Sequence, residues 1–197
     1  FFLKKLSKFR PVLNLEEIAK HKGSALGDIP KKKQPSQKKF ESEIWFSLFK
    51  TDIKKNIWVE SESNRIGKLF LPNKLFYKMT KGKILNLIVP LSQRQQFILS
   101  DYSYLKKNKN QLQKSIQILK KFLINKDYQD LHNSFKDQKF DEIVLNLLQN
   151  HYDKVYSKRT HYKAANDIVN LDVNTISANG FKKILINIID LEKLKKI

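Results

Sequence analysis

The chain has 197 residues, no cysteine, and 39 Lys+Arg against 19 Asp+Glu, a formal net charge of +20. That length suits one domain, or one domain with a helical extension, and is enough to bury a real core; the missing thiols exclude disulfides, thiolate chemistry and a cysteine-based zinc site in these residues and agree with a reducing, cytoplasmic setting. No apolar run approaches the roughly 20 residues of a membrane span, Phe1–Arg10 is too charged and too short for a signal peptide, and the charge points to a polyanionic partner.

Phe1–Lys8 carries apolar residues at positions 2, 3, 6 and 9, close to helical spacing, and Pro11 stops it. Val12–Leu15 reads as a short strand, and Glu16–Lys20 as a helical turn leading into the loop HKGSALG, with Lys31, Lys32 and Lys33 further along it. That lysine run fits either a solvated face or phosphate contact. Gln34-Pro35-Ser36 starts a helix in which Phe40, Ile44 and Leu48, with Trp45 and Phe49, form one apolar stripe, read as core and not as a platform for bases. Asn56–Val59 is a strand that delivers the polar cluster Glu60–Arg65, and the carboxyl end of a strand is where open α/β sheets place their ligand crevices. Asn64–Leu69 is a turn carrying Gly67, Leu71-Pro72-Asn73 caps a short helix, and Lys83–Val89 reads as a second buried strand ended by Pro90.

From Leu91 the pattern becomes helical. Ser92 caps a helix to about Ser100. Leu112, Ile116, Leu119 and Leu123 line one face, and Phe140, Ile143, Val144, Leu147, Leu148 and His151 another. Phe181, Ile184, Leu185, Ile188 and Leu191 make a last helix. The fold class is therefore α/β, with a partial α/β domain over residues 1–103 and a helical region over residues 104–197.

The chain uses 35 lysines and only four arginines, at positions 10, 65, 94 and 159. Part of that lysine excess is the drift an AT-rich genome produces. Arginine then survives where a planar two-pronged fork is needed, and Arg65 and Arg94 are the candidate phosphate forks. No complete nucleotide-binding signature occurs: Gly23 and Gly27 are not followed by Lys-Ser/Thr, and Gly67-Lys68 has no partner glycine at the P-loop spacing. His21, His132, His151 and His161 lack metal-ligand spacing, so no zinc site is expected. The order helix, strand, loop, helix, acid-ended strand resembles a P-loop domain taken up just after its Walker A loop.

The segments HKGSALG, QPSQKKFE, WVESESNRIGKLFLPNKLFYKM and NHYDKVY together resemble the bacterial tRNA 2-selenouridine synthase family, over residues 1 to about 157. His21, Gly23, Ser24 and Gly27 fall on its HRGS-type loop, with Lys22 where arginine is usual. Gln34, Ser36 and Gln37 fall on its QPSQ helix start; Glu60, Glu62, Ser63, Arg65 and Gly67 fall on its strand-end cluster. Tyr152, Asp153 and Tyr156 fall on its YYDP-x-Y element, where His151 and Lys154 depart from the pattern, as Asn14 does from a usual Asp. The resemblance implies an incomplete P-loop NTPase-like parallel sheet followed by a mainly α-helical extension. It also implies replacement of sulfur by selenium in the wobble 2-thiouridine of tRNA, with selenophosphate as donor and a geranylated intermediate made from geranyl diphosphate.

Neither the family's rhodanese cysteine nor its Walker A loop occurs in these residues, which start without Met and read as a fragment whose partner is the missing N-terminal portion. No catalytic residue is therefore expected in this chain. The phosphate or tRNA candidates are His21, Lys22, Gly23, Ser24, Lys31, Lys32, Lys33, Ser36, Gln37, Arg65 and Arg94, with backbone amides around Gly23 forming an anion nest. Glu60 and Glu62 are the strand-end acids, placed to order Mg²⁺ or a base. A central strand lost with the Walker A loop would leave unpaired edges, so the chain alone is expected to be inactive and marginally folded. Two other classes fit the residues: a non-catalytic basic RNA-binding remnant, and a P-loop kinase-like enzyme.

Overall fold

The computed structural model describes residues 2–52, 56–158, 168–177, 180–182, 184–186 and 188. Arg159, His161 and Leu191 lie outside them. The chain forms two compact units, residues 1–84 with 164–167, and residues 85–163 with 168–197.

In the first unit, α1 (Phe2–Leu6) leads into β1 (Val12–Leu13) and α2 (Leu15–Ala19). Asn14 caps α2: its Oδ1 accepts the Glu17 N–H at 3.0 Å, satisfying one of the amides a helix start leaves open. Lys20 ends the helix in the left-handed region, at φ 53°. The next helix, α3 (Gln37–Phe49), opens where the sequence predicts, with the Ser36 hydroxyl accepting from the Lys39 N–H. β2 (Trp58–Val59) pairs in parallel with β1, Val12 opposite Trp58 and Leu13 opposite Val59. The turn expected around Gly67 is a small antiparallel hairpin, β3 (Arg65–Ile66) with β4 (Leu69–Phe70), followed by α4 (Asn73–Thr80). Leu13, Leu15, Ala19, Phe40, Ile44, Ile66, Leu69 and Leu71 form the core. Fully burying a side chain such as Phe40 contributes about 1.5–3 kcal/mol.

One expectation fails here. Trp45 and Phe49 are not core: they are 63 % and 71 % exposed, stacked on each other with ring centroids 5.0 Å apart. At 3.6 residues per turn Phe49 lies about 180° around the helix from Phe40. The buried stripe is the narrower Phe40–Ile44 row, with Leu48 half-buried.

In the second unit, β5 (Ile84–Ile88), whose first residue falls in the first, pairs with β6 (Ile168–Asp172). The Asn86 side chain donates to Asn170 Oδ1 at 2.9 Å, and the Val173 N–H to the Ile88 carbonyl. β5 is not the buried strand its composition suggests; its residues are half-buried or exposed. The helices are α5 (Leu91–Asp101), α6 (Ser103–Lys107), α7 (Lys109–Leu119), α8 (Asn125–Lys136), α9 (Phe140–Leu147) and α10 (Asp153–Lys158). Pro90, not Ser92, occupies the cap position of α5. α7 turns Leu112, Ile116 and Leu119 inward, and α9 turns Phe140, Ile143, Val144 and Leu147 inward, as their spacing predicts. Between α9 and α10 the backbone widens into a π-helical turn, Leu148–Tyr152, so the α-helical register projected to His151 is interrupted. Phe181, Ile184 and Ile188 are buried.

Candidate functional site

Because β1 and β2 run in parallel, their carboxyl ends lie at one edge, and Asn14 and Glu60 emerge there side by side. Glu60 does not extend freely: its Oε2 accepts the Leu15 N–H at 2.8 Å, at the start of α2. Burial raises the Glu60 carboxyl above its ordinary range; backbone hydrogen bonds from Leu15 and nearby residues oppose that rise, and the neighbouring Glu62 charge adds to it.

Glu62 meets the glycine loop. Gly23 has φ +69°, and a Cβ there would lie 2.5 Å from Glu62 Oε1. A side chain there is strained by the left-handed backbone and displaces the Glu62 carboxylate, and glycine avoids both costs. The strand-end acids and the loop therefore face each other in the first unit.

The loop is closed from within. His21 is buried, and its Nδ1 accepts the Gly23 N–H at 3.1 Å. Its Nε2 lies 3.6 Å from Asp28 Oδ1, so the neutral ring carries its proton on Nε2. Burial lowers the His21 pKa, and Asp28 partly opposes that. The backbones of His21 and Asp28 form an antiparallel bridge, and a Cβ on Gly27 would lie 2.7 Å from His21 Cε1. The Ser24 N–H donates to the Lys22 carbonyl, the Gly27 N–H to the Ser24 carbonyl, and the Leu26 N–H to Ser24 Oγ. This corrects the anion-nest expectation: the amides of Lys22, Gly23, Ser24, Leu26 and Gly27 are spent inside the loop, because the imidazole, the Ser24 hydroxyl and the turn carbonyls supply acceptors that sequence spacing does not display. Cationic side chains are what the loop region offers outward, and Lys31, Lys32 and Lys33 are all exposed.

The QPSQ residues brace the hairpin. Gln34 donates to the Ile66 carbonyl at 3.0 Å and accepts the Lys68 N–H at 2.8 Å. Gln37 accepts the Phe70 N–H at 2.9 Å and donates to the Phe70 carbonyl at 2.8 Å, pairing with the β4 backbone as another strand would. Ser36 is the α3 cap. Arg65 donates from Nε to the Gly67 carbonyl at 2.7 Å, and its guanidinium lies 5.5 Å over the exposed Phe70 ring. Arg94 belongs to the second unit, where Asp153 takes both prongs of its fork, at 2.5 and 3.0 Å. The hydrogen bond to Asp153 is the main reason the Arg94 pKa is raised. The family element containing Asp153 thus anchors the first turn of α10 to α5.

Sequence reasoning missed Asp28; its signal is its position at the far side of a glycine-bearing loop that begins at His21. Glu60 is poorly suited to direct Mg²⁺ ligation. One Glu60 oxygen is committed to a backbone amide, the carboxyl holds its proton more tightly than usual, and the described residues contain no group of three or more His, Asp or Glu able to hold a metal. Among the described residues no helix is long and apolar enough to cross a membrane.

Residues 2–179 match the family described as the tRNA 2-selenouridine synthase AAA domain. The tRNA 2-selenouridine synthase of Nitrosomonas europaea is 35 % identical over 102 residues, 49 % of this chain and 26 % of that protein. That of Aeromonas salmonicida is 37 % identical over 92 residues, 46 % of this chain and 24 % of that protein. An uncharacterized protein of Methanocaldococcus jannaschii is 34 % identical over 151 residues, 75 % of this chain and 61 % of that protein. The matched stretch spans about a quarter of the length of the two synthases. No solved structure matches. The family match runs over nearly the whole chain, through the acid-ended strand, the glycine loop and the glutamine-braced hairpin: the chain belongs to the tRNA 2-selenouridine synthase AAA domain family.

Proposed function

We propose that the chain is the C-terminal part of a cytoplasmic tRNA 2-selenouridine synthase, which replaces sulfur by selenium in the wobble 2-thiouridine of tRNA. Selenophosphate is the selenium donor and a geranylated uridine, made from geranyl diphosphate, lies on the path. The observation that carries this reading is the apposition of Glu62 to Gly23 beside the half-buried Glu60, within a chain that matches the family over residues 2–179.

These residues form one wall of the site. Lys22, Lys31, Lys32, Lys33 and Arg65 contact the tRNA phosphates or the diphosphate leaving group. Glu60, whose carboxylate accepts the Leu15 N–H, fixes the start of α2 behind that wall. His21 stays neutral and sets the loop. Ser36, Gln37 and Arg94 act through the scaffold, and no step is assigned to a metal. The 197 residues contain no cysteine, so a thiol step is carried out by another part of the enzyme, and this chain alone is inactive.

The test is a complete modification assay on the purified chain, with 2-thiouridine-containing tRNA, selenophosphate and geranyl diphosphate. The expected result is tRNA binding without selenium incorporation; any turnover refutes the assigned division of labour. Charge reversals at Lys31, Lys32, Lys33 and Arg65 weaken tRNA binding and flatten its salt dependence. Unchanged binding in all four variants shows that this loop does not contact tRNA.

A further inference from the structure

The second unit has a charge pattern that the glycine loop does not account for. Residues 102–126 contain seven lysines and no aspartate or glutamate, whereas residues 127–142 contain five acids. A general drift toward lysine raises lysine everywhere; it does not clear acids from one stretch and gather them in the next. All seven lysines are exposed. Six of them run from the end of α6 (Lys106, Lys107) along α7 (Lys109, Lys114) to the connection into α8 (Lys120, Lys121). Among the described residues no carboxylate forms an ion pair with any of these six.

The fold turns the stretch into a surface. α7 buries Leu112, Ser115, Ile116 and Leu119, which leaves Asn110, Gln113 and Gln117 outward between the lysines. These amides donate and accept hydrogen bonds, as phosphate oxygens and ribose hydroxyls require. Where the lysine row ends, Phe122 and Ile124 are each 65 % exposed. The Phe122 ring centroid lies 6.2 Å from that of His151, and the Lys120 ammonium lies 5.6 Å over Tyr128. An acid-free row of ammonium groups, interleaved with amides and closed by a solvent-facing aromatic ring, is the chemistry of single-stranded nucleic-acid binding. Cations follow the phosphates and the ring stacks on an unpaired base.

We propose that the outer face of α6 and α7, with residues 120–126, is an RNA-docking surface, and that Phe122 stacks on an unpaired base. This rests on the reading of the chain as part of a tRNA-modifying enzyme and adds a second contact surface to the one assigned to the glycine loop.

The experiment measures binding of the full 197-residue chain to an unmodified tRNA transcript by fluorescence anisotropy across a salt series. Replacing Lys114, Lys120 and Lys121 with Gln makes the slope of log affinity against log salt shallower by about 2, since each neutralised phosphate accounts for about 0.7 of it. Affinity near physiological salt falls on the order of tenfold. The same three positions replaced with Arg retain the slope. Phe122→Ala weakens binding to tRNA and to a single-stranded oligonucleotide about fivefold or more, and leaves binding to a blunt RNA duplex unchanged. Melting curves accompany each variant; should the triple variant not fold, the Lys120→Gln/Lys121→Gln pair is read against a slope change of about 1.4.

If the unsubstituted chain binds tRNA and the Gln variants keep its slope, this surface is refuted while the tRNA reading stands. If the unsubstituted chain binds no tRNA, both fail. If the Gln variants lose affinity only for phosphatidylserine vesicles and not for tRNA, the face belongs to a lipid headgroup surface and the proposal is overturned.

Discussion

Glu60 offers the sharpest test of how the strand end is built, because its two roles separate by substitution. The side chain supplies an acceptor to the Leu15 N–H and a carboxyl whose charge burial disfavours. Glu60→Gln keeps an acceptor of nearly the same shape and removes the charge. Glu60→Leu removes both and leaves a buried amide at the start of α2 unsatisfied. That orphaned donor costs about 1–3 kcal/mol, and at about 2–4 °C per kcal/mol for a chain of this size the Leu variant melts about 4–8 °C lower for a mid-range loss. The Gln variant is at least as stable as wild type at neutral pH. The pH dependence follows the same logic. A folded pKa above the unfolded one means the native chain binds the proton more tightly. The contribution is then complete below the ordinary carboxylate range and is lost as pH rises through the raised value. Thermal melts over that range show this decline in wild type and not in Glu60→Gln. Equal destabilisation by Gln and Leu would refute the reasoning, since it would make the charge, not the acceptor, the group that holds α2.

Three further outcomes follow from the same contacts. His21 has a lowered pKa, so its contribution is present above the ordinary histidine value and is lost as pH falls from there through the folded value; hydrogen-exchange protection factors of the amides at residues 22–27, taken relative to the intrinsic rate at each pH, fall on acidification, and His21→Phe removes that dependence. Gly67→Ala costs more than Gly23→Ala in denaturant melts. Both place a side chain in the left-handed region, at about 1–2 kcal/mol, but the Gly67 Cβ meets a Gln34 carboxamide fixed by hydrogen bonds to Ile66 and Lys68, whereas Gly23 meets the end of a flexible glutamate. A double-mutant cycle of Arg94→Lys with Asp153→Asn gives a coupling of about 1 kcal/mol at moderate salt, toward the low end for a two-pronged pair because both partners are partly solvated; zero coupling contradicts the anchoring of α10 to α5.

Much of the fold was legible because periodicity reports burial directly. The Leu112–Ile116–Leu119 face and the Phe140–Leu147 face are buried as spaced, and Ser36 marks the start of α3. The failures have physical causes. Hydrophobicity placed Trp45 and Phe49 in the core, but their angle around α3 puts them in solvent. β5 reads as a buried strand from composition alone, yet its partner β6 begins 84 positions after it does, so neither its pairing nor its half-exposed faces could be read locally. In the candidate site, Gly23 and the strand-end acids were legible as a pair of features; that Glu62, not Glu60, touches the glycine depends on the bend after Val59. Gln37 reads as a ligand contact because its motif is distinctive, but its amide, like that of Gln34, has the two-atom donor and acceptor pattern of a backbone and serves as a rung of the hairpin.

The most direct measurement is the nucleoside composition of tRNA, by mass spectrometry, from the encoding organism grown with selenite, with and without the gene for this chain. The account predicts that deletion abolishes 2-selenouridine at the wobble position and leaves 2-thiouridine in its place, with restoration by the wild-type gene. Undiminished 2-selenouridine in the deletion strain would contradict it.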